Sequence, residues 1–589
     1  MPRQDAASRE RIALVNVVSP STSPASLVLR ASLFCLLTIC VGILSPVGNL
    51  AADQPALGWS SPVAGPAGDS PEDLAAKASR FEREGRWPDL VSVCESAARK
   101  GTLAPELQKR YDLAKIHCDL TRRHNETAYR TQLGKLTESD ARRLYAEVLA
   151  RIASHHFEAP NFARIVSRGM LAMDVAIDEP VFAAQHVQAG DAASRGVYRE
   201  QIAQLAAGRT VASQVEAEAF AVWVASIAKT TLGVPTTVTL LEMTAAAMGS
   251  LDEYSAFLTT GQLDDLYAQI EGNFVGLGVE LKAASDGLLV VHVIPGSPAE
   301  RSGIRAGDHL VGVGGRPIGG MGVDQAAQLL QGAPGSLVTL AVLRAPSPAR
   351  AITVRREHVE VPSIEDVRMA DPAAGVAYLK ISSFQKTTAA DLEAALRRLD
   401  VAGMRSLVVD LRGNPGGLLS AAVDVADLFL ERGLVVATRG RSPEEDFNYT
   451  ASRPGTWRMP LVVVIDGESA SSSEIFAGAI RDHARGTIVG TRSYGKGSIQ
   501  GIFPLDSAGV GMRLTTAKFY SPNGHPYSGI GVEPHLAVHS VARPVGGVAL
   551  VGTAAQPASD PFFETAVDAA RRSVPRPAAR PQSRTTVSR

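Results

Sequence analysis

Apolar residues recur at two different periods along the chain, and the change of period divides it. From Pro71 to about Met248 they fall at helical spacing, with Leu74, Ala78 and Phe81 before the breaker Gly85-Arg-Trp-Pro88 and Leu90, Val91, Cys94 and Ala97 after it. That spacing predicts paired antiparallel helices. From about Gly272 to His358 short apolar strands alternate with Gly-rich turns, with one helix expected over Asp324–Leu330. From Val361 to about Val538 strands and helices alternate: Val376–Ile381, a helix through Leu392–Leu399, Ser406–Leu411, a helix through Ala421–Leu430, then Pro460–Asp466. These strands are apolar almost without interruption, as in a sheet covered on both faces. The pattern predicts a multidomain α/β chain: a helical domain over 72–248, a helical lead-in over 249–271, a β-rich module over 272–358 and an α/β core over 359–540.

The ends read differently. Residues 53–71 place Pro55, Pro62, Pro66 and Pro71 among Gly, Ser and Ala, a linker composition, and residues 541–589 are Ala, Pro and Ser rich and predicted mostly disordered, except for a short helix near Pro561–Arg572. Over residues 1–52, four arginines precede an uncharged run from Ala31 to Ala52, whose apolar centre Leu33–Leu44 has the length of a signal-peptide core more than of a full membrane span. Export to a periplasmic or other extracytoplasmic space is expected, by a cleaved signal peptide or an uncleaved inner-membrane tether at 31–52. A buried core helix is the alternative.

Composition narrows the chemistry. With 59 Lys+Arg against 60 Asp+Glu there is no basic excess to neutralise phosphates, so nucleic acid is not expected as a partner. Four cysteines without C-x-x-C or H-E-x-x-H point to no metal site, and no cofactor is expected. Cys94 and Cys118 are the pair outside the N-terminal segment, free to bridge in an oxidising compartment. His117, His124, His155 and His156 read as scattered surface histidines, because no carboxylate or thiol joins them at ligand spacing. The Ala78, Phe81, Gly85, Trp87 pattern weakly resembles a tetratricopeptide pair, without a following repeat of about 34 residues.

Two stretches carry candidate chemistry. In Phe274-Val-Gly-Leu-Gly-Val279, glycines free a loop whose N–H groups can point at a carboxylate, and the strand from Val279 offers an edge for an added strand. Val275, Gly276, Leu277, Gly278 and Val279 are the candidate peptide-binding residues, and with the run Pro295–Gly315 the module resembles a PDZ domain. In the core, the strand ending at Asp466 runs through Gly467-Glu-Ser-Ala-Ser471-Ser-Ser-Glu474 into a helical stretch, a turn that can present a serine beside unpaired N–H groups or can simply cap the helix. Downstream, Gly490 to Lys496 imitates the start of a phosphate-binding loop, but Gly497 stands where Ser or Thr should be and a strand follows instead of a helix. A lysine between two glycines can instead be tucked into a desolvated site, where burial lowers its pKa and makes it a base. Gln500, four residues on, returns to the same strand face and could orient the amine.

The ordered blocks Gly249-Ser-Leu-Asp-Glu-Tyr-Ser255, Tyr378–Phe384, Asp410-Leu-Arg-Gly-Asn-Pro-Gly-Gly417, Ser469–Glu474, Tyr494–Gln500, Leu514–Tyr520 and Gly529–Pro534, together with the PDZ-like module, resemble the carboxyl-terminal processing peptidases, or tail-specific proteases, over roughly residues 242–540. The resemblance implies a twisted α/β, crotonase-like protease core with a β subdomain. It makes Ser471 the nucleophile, Lys496 the general base, Gln500 the lysine-positioning residue, the N–H groups of Gly417 and Ser472 the oxyanion hole, and Glu474 a supporting carboxylate. Ser472 stands where the family often has alanine, so Ser469 and Ser473 remain as other registers. Implied substrates are proteins or peptides with free C-termini, captured by the PDZ module. The long helical domain departs from the family and suggests a protein partner. A catalytically silent PDZ scaffold is the alternative function, and a ligand-binding relative such as the interphotoreceptor retinoid-binding proteins a further one.

Overall fold

The computed structural model describes residues 13–14, 71–98, 103–284, 286–319, 326, 329–330, 332–506, 509–538 and 560–574. The expected signal or anchor, the linker and most of the tail lie outside the described residues, as does most of the helix expected at 324–330.

Among the described residues, ten helices run from Pro71 to Gly249. Their ends follow local chemistry. Glu138–His155 (α1) and Gln214–Leu232 (α3) start with capping boxes, Thr137 with Asp140 and Ser213 with Glu216, while Phe162–Ala176 (α2) is capped by Asn161. Thr236–Gly249 (α4) is buried on nearly every face and forms the axis of the domain, with α1, α2 and α3 packed around it.

The helical core does not close on itself. It continues into Phe257 of the strand Ala256–Leu258 (β1) and into Phe503, Leu505, Val510, Met512 and Leu514 of a β subdomain. The four histidines therefore depart from the surface expectation. His124 is fully buried on Glu242 at 2.9 Å, His156 is buried on Asp252 at 3.0 Å, and His117 is held by Glu179 at 2.6 Å. His155 stacks on Phe503. Sequence spacing concealed the carboxylate partners of His117, His124 and His156 because these lie 62 to 118 residues away. Cys94 and Cys118 are free thiols whose pKa values burial raises to about 11 and about 12.

After the helix Thr260–Glu271, Asn273–Gly276 (β2) pairs antiparallel with Glu357–Glu360 (β8), bringing together the entry and exit of the β-rich module. Between them Val279–Ala284 (β3), Gly287–Val293 (β4), His309–Val313 (β5), Leu337–Leu343 (β6) and Arg350–Arg355 (β7) form one antiparallel sheet with β3 at its edge.

The core sheet runs Ile364–Asp371 (β9), Val376–Ile381 (β10), Ser406–Asp410 (β11), Leu461–Ile465 (β14), Thr487–Gly490 (β15) and Leu536–Ala537 (β18), parallel from β10 onward. Alternation along each strand serves two covers. Leu379, Leu407, Val409, Val463 and Ile465 face the helices Thr388–Val401 (α5), Leu419–Asp427 (α6) and Ser472–Asp482 (α7). Val376, Tyr378, Val408, Val462, Val464 and Val489 face the C-terminal helix Pro561–Ser573 (α8), which matches the helix expected in the tail. Every residue of β11 and β14 is buried, as expected for a two-sided sheet. The β subdomain consists of Gly433–Gly440 (β12), Phe447–Ala451 (β13), Ser498–Leu505 (β16) and Val510–Tyr520 (β17), with β1 paired to β17.

Candidate active site

Strand β14 ends at Ile465, and the chain turns through residues 466–471 into α7. Ser471 is the N-cap, with φ 57°, a left-handed conformation that costs a non-glycine residue energy and occurs most often where surrounding structure enforces it. Asn414 enforces it here. Its backbone oxygen accepts from Ala470 N at 3.0 Å and Ser473 Oγ at 2.9 Å, its Oδ1 accepts from Gly416 N at 2.8 Å, and its Nδ2 donates to Ile381 O at 2.9 Å.

The serines on this turn are not equivalent. Ser469 donates its hydroxyl to Leu411 O at 2.9 Å, Ser472 to Gly417 O at 3.0 Å and Ser473 to Asn414 O at 2.9 Å. The Ser471 hydroxyl proton has no such acceptor among the described residues.

The Asn-Pro-Gly-Gly loop crosses beside this turn. Phe384 N donates to Gly416 O and Leu418 N to Phe384 O, at 2.9 and 2.8 Å, pinning the residues on either side of Gly417. Gly417 has φ 143°, and a Cβ there would lie 2.1 Å from Phe384 O, so only glycine fits. Neither the Gly417 N–H nor the Ser472 N–H, the latter at the first turn of α7, has a partner among the described residues. Two unpaired donors thus flank Ser471 where a developing oxyanion could sit.

Glu474, fully buried, joins the serine turn to the lysine segment. Its carboxylate accepts from Ser471 N at 2.7 Å, Ser493 Oγ at 2.6 Å, Gly495 N at 2.6 Å and Lys496 N at 3.0 Å. Burial pushes its pKa up, and those four donors oppose that push. Gly497 follows because the segment presses on the chain at 528: a Cβ there would lie 2.3 Å from Ser528 N. Burial, then the neighbouring Arg513, lowers the Lys496 pKa to about 8. Its Nζ lies 5.0 Å above the Tyr254 ring and makes no hydrogen bond to Ser471 or Gln500; such contacts often form only in the substrate complex. Buried Gln500 donates its Nε2 to Ser498 Oγ at 3.0 Å and Thr515 Oγ1 at 3.3 Å.

The structure therefore brings Ser471, Ser472, Gly417, Glu474 and Lys496 together, with Gln500 anchored on the adjoining strand. Tyr254, beneath the lysine, and Asn414, behind the serine turn, were not singled out in the sequence. Both lie in blocks that resemble the family, yet nothing local to either block shows what it touches.

The loop 275–279 lies apart, in the β-rich module. Val275 and Gly276 belong to β2 and pair with His358 and Glu357, Leu277 is buried in the module core, and Gly278 packs against Ser297. Leu277 O accepts from Ala299 N at 2.8 Å and Gly278 O from Ile294 N at 2.9 Å. Val279 begins the edge strand β3, whose outer side has no strand partner among the described residues.

Comparison with known proteins agrees with this architecture. Residues 375–538 match Peptidase family S41, and residues 289–344 match the PDZ domain. Over 295 residues, 49% of this chain and 67% of the relative, the chain is 36% identical to the carboxy-terminal-processing protease of Bartonella bacilliformis. It is 31% identical over 289 residues to a probable CtpA-like serine protease of Staphylococcus aureus, spanning 57% of that protein. A looser likeness, with TM-score 0.37 and 25% identity over 68% of this chain and 93% of the other, links it to the photosystem II D1 C-terminal processing protease. The chain belongs to peptidase family S41, the carboxy-terminal-processing proteases. It is by that membership a serine-type peptidase with a PDZ domain.

Proposed function

We propose that the chain cleaves exported proteins near their C-termini through a Ser471–Lys496 dyad and an acyl-enzyme. Neutral Lys496 takes the Ser471 hydroxyl proton as Oγ attacks the scissile carbonyl. The oxyanion is received by the N–H groups of Gly417 and Ser472. The Lys496 ammonium then returns the proton to the leaving amine, and water releases the acyl group. Gln500 orients the lysine, and Glu474 holds the lysine segment against the serine turn without itself reacting.

The observation that carries this reading is that, among the described residues, the Ser471 hydroxyl proton alone of the four serines on the turn has no acceptor, beside two unengaged N–H groups and a lysine of lowered pKa. A free substrate C-terminus would enter at residues 275–279 and add a strand to β3. Residues 31–52 would direct export or tether the chain, and the helical domain would receive a protein partner. No helix among the described residues is long and apolar enough to cross a membrane, and 31–52 lie outside them.

The test is cleavage of an unstructured reporter with an apolar C-terminal tail, read by mass spectrometry, using full chain from the envelope fraction of producing cells. Wild type is expected to cut near the tail, whereas Ser471→Ala and Lys496→Ala fold, bind the tail and do not cut. Turnover by either variant would overturn the dyad. Tail binding without cleavage by wild type would favour a scaffold, and recovery of the chain only from cytosol would overturn export.

A further inference from the structure

The hydrogen bonds around Gln500 continue in one direction, into the helical domain. Gln500 Nε2 meets Thr515 Oγ1 at 3.3 Å, and Thr515 Oγ1 donates to Asp252 Oδ1 at 2.9 Å. Asp252 also accepts from Tyr254 N at 2.8 Å, Ser255 N at 3.0 Å and Ser255 Oγ at 2.7 Å, and His156 Nε2 lies 3.0 Å from its other oxygen. These partners hold the Asp252 pKa well below the usual carboxylate range despite burial. The same helical-domain segment reaches Thr515 directly, through Phe157 N donating to Thr515 O at 2.9 Å.

Direction matters in this chain because its members differ in what they can do. An ionised carboxylate only accepts, so Thr515 must spend its single proton on Asp252 and offers Gln500 only lone pairs. The amide must then turn its NH2 toward Thr515. Its carbonyl oxygen, for which the described residues offer no hydrogen-bond donor in the contacts of Gln500, is the one end able to accept from an ammonium. Were the amide reversed, the end not bonded to Thr515 would be a donor, and Lys496 has donors of its own.

We infer that Asp252 is a positioning residue of the active site: acting through Thr515, and held by His156 of the helical domain, it fixes which end of the Gln500 amide is offered to Lys496. The inference rests on the reading of Lys496 as base and Gln500 as its orienting group. It gives the helical domain a part in catalysis besides partner binding. It also gives Asp252, in the block Gly249–Ser255, a role beyond a turn.

The experiment compares kcat, KM and thermal unfolding for full-length wild type, Asp252→Asn, Thr515→Val, Thr515→Ser and Gln500→Ala, and for the two doubles that add Asp252→Asn or Thr515→Val to Gln500→Ala. Thr515→Val removes the relay hydroxyl without changing charge. It should lower kcat about tenfold or more with KM and unfolding temperature near wild type, and Thr515→Ser should restore kcat. Asp252→Asn should lower kcat likewise. In the Gln500→Ala background neither change should lower kcat further, since the relay acts only through that amide. Wild-type kcat in Thr515→Val, or losses that multiply in the Gln500→Ala background, would overturn the inference. Should Asp252→Asn fail to fold, the Thr515 pair decides. Activity that needs Ser471 and Lys496 but is indifferent to Thr515 sinks this inference alone, whereas activity surviving Lys496→Ala sinks the dyad and this inference with it.

Discussion

A lysine can take a proton from serine only while it is itself unprotonated, and an ordinary lysine near pH 7 almost never is. Burial of Lys496 changes that balance by disfavouring its charged form, with Arg513 adding repulsion, while Glu474, Glu253 and Asp252 act in the opposite sense. The proposed base is the neutral amine, so kcat/KM should rise with pH through a limb near 8, the value to which the Lys496 pKa is lowered. A pH–rate profile with an unstructured peptide reads this directly. A limb between 6 and 7 that vanishes on removing a histidine would contradict it. Residue chemistry also decides among the serines: three donate their protons to backbone carbonyls and Ser471 does not, a distinction invisible in the run Ser469-Ala-Ser-Ser-Ser-Glu474.

At the scale of elements, the site is assembled where two βα connections of a parallel sheet meet. The loop after β11 and the turn after β14 emerge from adjacent strands, so Gly417 and Ser472 come together through sheet register. Residues 410–417 and 466–474 were legible as blocks, and the strands β10, β11 and β14 as apolar runs, but their adjacency was not. The glycines carry the geometry. Gly417→Ala would drive a methyl into Phe384 O at an unfavourable φ, displacing one proposed oxyanion donor. We expect kcat to fall by about 10²–10³, accompanied by a lower unfolding temperature. Activity within a few-fold of wild type would show that the Gly417 N–H is not an oxyanion donor.

At the scale of the molecule, the helical domain and the β subdomain share one core. Phe257, Phe503, Leu505, Val510, Met512 and Leu514 bury their side chains against helices contributed by residues before 250, and Arg441 of the β subdomain donates to His156 O at 2.9 Å. The opposite face of the core sheet is closed by α8, whose N-cap Asp560 pairs with Arg412 at 2.9 Å, next to the Asn-Pro-Gly-Gly loop. The helical domain is thus a structural part of the protease. A fragment beginning at Gly249 should expose that apolar set and be insoluble or lack a cooperative unfolding transition, whereas the full chain unfolds cooperatively. A soluble, cooperatively folded, active fragment would show that the two cores are separable.

What is local or periodic can be read from the residues alone: the helical and α/β segments, the two-sided burial of the core strands, the glycines and the serine turn, and, through ordered blocks, the family. Those features survive in one dimension because helix and strand periods, turn residues and caps act over a few neighbours. Folding settles which serine keeps its proton, that Glu474 ties the serine turn to the lysine segment, that His124 and His156 are buried on carboxylates, and that the helical domain reaches Thr515 and Asp252. Each of these is a contact between segments far apart in sequence, made by single side chains with no period to announce them, and such contacts exist only once the chain has folded.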